Sequence, residues 1–93
     1  MNVQRLREEF PALKEPMRGH DLIYFDNGAT SLKPQRVIDA VTEYYREYSA
    51  NIHRGVYEMS GRATAAYDDA RTAVKRLLRV ADGEGEAVFT RGT

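Results

Sequence analysis

The chain has 93 residues, enough for one domain but with a thin core, since a chain this short hides only about three-fifths to two-thirds of its unfolded surface. Its 14 Lys and Arg cancel its 14 Asp and Glu, and no stretch gathers cations densely enough to grip nucleic acid. The absence of cysteine excludes disulfides, thiolate metal sites and a cysteine nucleophile within these residues, and fits an intracellular, cytoplasmic home.

In chain order, Asn2 is placed to cap a short helix whose Val3, Leu6 and Phe10 share one face, and Pro11 marks its end. The opening "MNVQRLREEF" is charged early and lacks the apolar stretch of a secretion signal; no apolar run in the sequence approaches a membrane span. A turn-rich link, "KEPMRGHD", leads to "LIYF", Leu22 to Phe25. Being apolar on both alternating faces, it is predicted to be a strand covered on two sides. "YFDNGATSLKP" then poses a question, because Asn-Gly alone would reverse a chain, yet four small residues follow Asp26. Pro34 suits the first turn of a helix carrying Val37, Val41, Tyr45 and Tyr48 at helical spacing, until "SANIHRG" breaks the pattern.

Ser60 is the expected cap of a second long helix with an apolar stripe of Ala63, Ala66, Tyr67, Ala70, Val74, Leu77 and Leu78. Lys75, Arg76 and Arg79 fall where cations favour the carbonyl end of the helix dipole. "ADGEGE" ends it, and "AVFT", Ala87 to Thr90, is predicted to be a short strand before Arg91-Gly92-Thr93. Two short strands do not make a stable sheet without others, so the inventory predicts a piece from the start of an α/β domain. The competing reading is a complete small α+β domain with "RGT" as a frayed tail.

A strand ending in Gly92-Thr93 and feeding a helix would offer main-chain N–H groups and a hydroxyl to a phosphate. By itself, Gly-Thr after a strand is more often a plain turn. In the interhelix loop "NIHRG", His53 is a candidate proton carrier or substrate contact and Arg54 can fork a carboxylate, although a packed histidine and a solvated arginine explain most such loops. His20 is far from His53 in sequence, which leaves a histidine metal site without support. Asp68 and Asp69 read as a solvated helix face. Tyr44, Tyr45 and Tyr48 read as packing or a subunit interface, since no basic groove accompanies them. Gly83 and Gly85 lie among Asp82, Glu84 and Glu86, which would repel a phosphate.

Three stretches, "YFDNGATSLKP", "ANIHRGVYEMSGRAT" and "VFTRGT", resemble in order and spacing the N-terminal part of a class V aminotransferase-fold enzyme of the cysteine desulfurase and selenocysteine lyase branch. The resemblance runs from Phe10 to the last residue. It implies a homodimeric, pyridoxal-phosphate-dependent α/β enzyme of fold type I. Residues 1–79 would be a helical segment packed with the small domain, and residues 80–93 a linker and the first strand of the cofactor-binding domain. It further implies that Gly92 and Thr93 begin the family's Gly-Thr-Thr-Glu phosphate turn. Gly28 and Ala29 would lie in a loop beside the substrate, where small side chains let the backbone come close. His53 and Arg54 would stand at the active-site entrance as substrate or interface contacts. Lys14, Lys33 and Lys75 match no Schiff-base motif, so the family's lysine and its persulfide-carrying cysteine are not in this stretch.

The implied function is removal of sulfur from L-cysteine, giving alanine and a persulfide for an acceptor protein of iron-sulfur cluster assembly, with the 93-residue piece inactive by itself. Two alternatives stand beside it: selenocysteine lysis or another class V reaction, and a small helical interaction module that uses its tyrosines as an interface and catalyses nothing.

Overall fold

The side chain of Asn2 accepts the Arg5 amide at 3.2 Å and starts α1, Val3–Glu8, as its residue type predicts. The computed structural model describes residues 2–92; Thr93, one of the expected phosphate ligands, lies outside the described residues. After α1, Pro11 opens a 3-10 turn, Pro11–Leu13, that the sequence reading did not foresee. Arg7 straps this region together, its Nη2 donating to the carbonyls of Leu13 at 3.2 Å and Leu22 at 2.8 Å. The 13-residue helix α2, Gln35–Glu47, follows Pro34. Its first amide donates to the Glu9 carbonyl at 2.7 Å, and Arg36 reaches the Glu9 carboxylate at 3.4 Å. An orphan donor of the helix start is thereby satisfied by the main chain that leaves α1.

The third helix, α3, spans Glu58–Leu77. It begins before the expected cap: Tyr57 occupies the N-cap position without a side-chain bond, and Ser60 lies within the first turn. Lys75 and Arg76 occupy the last turn as expected, while Arg79 lies beyond the helix with a φ of 57°. Of the expected apolar stripe, Ala63 is buried and Tyr67 and Val74 are half-buried, whereas Leu77 and Leu78 are exposed.

The described contacts divide into two compact units that meet in sequence at Glu43 and Tyr44. Neither expected strand forms. Leu22–Phe25 and Ala87–Thr90 carry no ladder among the described residues, where the one β-bridge joins Met17 and His20. A strand requires a partner's amides and carbonyls, and these two segments find none among the described residues. Leu22 and Tyr24 are half-buried while Ile23 and Phe25 are exposed, so one of the two faces expected to be covered is open.

Candidate functional site

The loop Asn51–Gly55 is held by hydroxyl groups of α3. Ser60, 1% exposed, accepts the Gly55 amide at 3.1 Å and donates to the Asn51 carbonyl at 2.7 Å, so one buried hydroxyl closes both ends of the loop. Its neighbour one turn on, Thr64, accepts the His53 amide at 3.0 Å and donates to the Ser60 carbonyl at 2.8 Å. Gly55 cannot carry a side chain here, because a Cβ would sit 2.5 Å from the Ser60 Cβ and 2.7 Å from the Tyr57 ring. The buried hydroxyl and the missing side chain therefore belong to one packing solution.

His53 adopts a φ of 58°, the left-handed region that residues other than glycine seldom occupy. Its Nε2 lies 4.0 Å from Asp68 Oδ1, an ion pair whenever the imidazole is protonated. Its ring meets Tyr67 edge to face, with centroids 5.9 Å apart. The other contacts of Tyr67 bring in a second motif: Phe89 packs against the same ring at 5.4 Å, and the Arg71 guanidinium stands 5.0 Å from its centroid. The Nε atom of Arg71 is buried without a hydrogen-bond partner among the described residues. Tyr67 thus carries the "NIHRG" loop and the "VFTRG" segment on one helix. Arg54 is exposed beside His53.

Gly92, with a φ of 149°, has a conformation reserved for glycine, and among the described residues beyond its chain neighbours nothing lies within 4 Å of where a Cβ would stand. The Thr90 hydroxyl donates to the Gly92 carbonyl at 2.7 Å and fixes the turn. A small residue with accessible main chain beside Arg91 is chemically compatible with an approaching phosphate.

Gly28 and Ala29 lie at an exposed bend in the other unit. Neither Asn27 nor Gly28 has a positive φ, which rules out the type I′ turn that Asn-Gly favours. The Tyr24 hydroxyl spans the bend to the Thr30 carbonyl at 3.5 Å, and Lys33 donates to the Thr30 hydroxyl at 3.3 Å. An open depression of about 410 Å³ beside it is lined by Phe10, Leu13, Tyr24, Asn27, Ser31, Leu32 and Pro34.

Sequence reasoning names His53, Arg54 and Gly92 but not the groups that hold the His53 loop: Ser60 is expected there as a cap, and Thr64 is not singled out. Asp68 is on an exposed face, as expected, and also stands 4.0 Å from the imidazole. The available signal was the spacing of Ser60, Thr64 and Asp68, which places all three on one line of α3. Among the described residues no cluster of His, Asp and Glu has the makings of a metal site, and no helix is long and apolar enough to cross a membrane.

Residues 23–93 match the family model described as aminotransferase class-V. A cysteine desulfurase of Synechococcus elongatus is 45% identical over 92 residues, covering 99% of this chain and 14% of that protein. A probable cysteine desulfurase of Halalkalibacterium halodurans is 42% identical over 93 residues, covering 100% of this chain and 23% of that protein. Among solved structures, the apo cysteine desulfurase of Thermococcus onnurineus NA1 superposes with a TM-score of 0.72 at 39% identity, over 87% of this chain and 19% of that one. The chain therefore spans a quarter or less of the length of these relatives.

Proposed function

Because this chain belongs to the aminotransferase class-V family, we propose that it contributes the N-terminal part of a pyridoxal-phosphate-dependent cysteine desulfurase. The observation that carries the reading is the unbroken similarity to cysteine desulfurases along the whole chain, at 42% identity over 93 residues with the Halalkalibacterium halodurans relative. The reaction would convert L-cysteine to alanine, its sulfur passing to an enzyme thiol as a persulfide and then to an acceptor protein of iron-sulfur cluster assembly. That thiol lies outside these residues, which contain no cysteine. The enzyme would act as a homodimer in the cytoplasm. Residues 1–79 would pack with its small domain, and residues 80–93 would lead into the cofactor-binding domain.

Pyridoxal phosphate, when bound, supplies the electron sink that the chemistry needs. The residues of this chain would bind and orient. Gly92 and Thr93 would hold the phosphate through main-chain amides, and the open space at Gly92 supports that role. Gly28 and Ala29 would let the backbone pass close to the amino-acid substrate. Arg54, exposed and forked, suits the substrate carboxylate, with His53 beside it as a further contact.

The test joins these residues to the remainder of the Halalkalibacterium halodurans relative, in place of the segment they match. The expected result is a protein that retains pyridoxal phosphate and forms alanine from L-cysteine in the presence of a thiol acceptor. A folded, cofactor-loaded chimera that forms no alanine would overturn the reading.

A further inference from the structure

The hydroxyls that close the "NIHRG" loop have no part in the roles just assigned, yet Ser60 ties Asn51 to Gly55 and Thr64 holds the His53 amide between them. We propose that Thr64, on the loop that Ser60 closes, is a positioning residue that sets His53 for the reaction, an inference that rests on the desulfurase reading above.

Residues four apart stack on one face of a helix, so Ser60, Thr64 and Asp68 form a continuous polar line along α3. The loop lies against this line through alternate residues. Asn51 and Gly55 are tied to Ser60, and His53, between them, is tied to Thr64. Thr64 also donates to the Ser60 carbonyl, which turns its hydroxyl oxygen toward the His53 amide. A histidine at φ 58° persists only where its surroundings over-determine it. Here those surroundings are the Thr64 hydroxyl on the amide and Tyr67 and Asp68 around the ring. Glycine would occupy the same backbone conformation without strain, so loop closure alone does not call for histidine at this position. With the amide pinned, the imidazole is directed along the stripe toward Asp68, and Arg54 follows on the exposed side.

The experiment uses the chimera described above with Thr64→Val, Thr64→Ser, His53→Ala and the His53→Ala/Thr64→Val double variant, each checked for cofactor content. Thr64→Val keeps the side-chain shape and removes the acceptor; it is expected to lower kcat/KM for L-cysteine about 10-fold, with Thr64→Ser recovering to within about 2-fold. The double variant should be no worse than His53→Ala, because both changes then remove the same contribution. Amide hydrogen exchange supplies a readout independent of turnover: Thr64→Val should speed the His53 amide about 10-fold and leave Gly55 unmoved. An active parent in which the two losses multiply, or in which His53 exchange ignores Thr64→Val, overturns this inference alone. A folded, cofactor-loaded parent without activity strikes the desulfurase reading and this inference together.

Discussion

Tyr67 and Phe89 meet edge to face, with ring centroids 5.4 Å apart and an interplanar angle of 75°. The same tyrosine receives His53, so two motifs separated by more than thirty residues of sequence share one aromatic wall on α3. Each edge-to-face pair contributes about 0.5–1.5 kcal/mol beyond its buried area, so losing both frees about 2 kcal/mol. Tyr67→Ala in the chimera is therefore expected to accelerate tryptic cleavage after Arg54 and after Arg91 together, by about 10- to 30-fold. Tyr67→Phe, which keeps the ring, should leave both segments protected. Acceleration confined to one segment would show that Tyr67 does not join them.

Gly55 and Gly28 make a contrasting pair. A methyl group at Gly55 overlaps Ser60 at 2.5 Å, against a side chain that is buried and bonded at both of its hydroxyl positions. Overpacking of this kind costs about 1–3 kcal/mol, so Gly55→Ala should lower the melting temperature of the chimera and loosen the His53 loop. At Gly28 an added Cβ meets nothing within 4 Å, and the backbone lies outside the left-handed region. Gly28→Ala should change stability by less than about 0.5 kcal/mol. If the loop is kept small for the substrate, the same change raises KM for L-cysteine with melting unaltered. Unchanged steady-state kinetics would return Gly28 to the role of a simple bend.

The helices were legible because their signals are local. Asn2 offers an acceptor to the first free amides, Pro34 fits a helix start, and the apolar period marks α2 and α3. Ser60 was misread because a cap and a loop clasp ask for the same hydroxyl near a helix start. What separates them is whether the preceding loop folds back over the first turn, and Gly55 allows that by having no side chain. The strands were not decidable from composition. Leu22–Phe25 and Ala87–Thr90 have strand-like residues, but a ladder belongs to a pair of segments, and neither finds a partner among the described residues. Asp68 was hidden by the ordinary charged face around it; only the folded loop shows which of Asp68 and Asp69 meets the imidazole.

Gly92 allows a direct test of the phosphate role. At φ 149° any side chain is strained, although an added Cβ meets nothing within 4 Å among the described residues beyond its chain neighbours. Gly92→Ala should therefore rotate the main chain of the turn without creating a clash elsewhere, and the amides beyond it would lose their aim. Losing one or two charge-assisted hydrogen bonds, each about 1.5–3 kcal/mol, predicts at least a 10-fold weaker hold on pyridoxal phosphate. Equilibrium dialysis of the chimera and its variant against pyridoxal phosphate measures it. Equal retention would remove this turn from the phosphate site.

The 93-residue chain by itself offers the last test, and it bears on the alternative of a self-sufficient helical module. Among the described residues the buried ones are Ala63 and Ser60, while Phe25 is 91% exposed and Leu77 81%. A cooperative fold needs apolar burial to offset about 1–2 kcal/mol of backbone entropy per ordered residue, and one buried alanine does not approach that. The isolated chain is therefore expected to show helical far-ultraviolet dichroism, a broad non-cooperative melt, strong binding of the dye ANS, and concentration-dependent association. Each of these should diminish when the same residues are joined to the rest of a desulfurase, which would cover Ile23, Phe25 and the end of α3. A sharp melt from a monodisperse, dye-indifferent monomer would instead favour the helical module, because such a product would need no further polypeptide to complete its core.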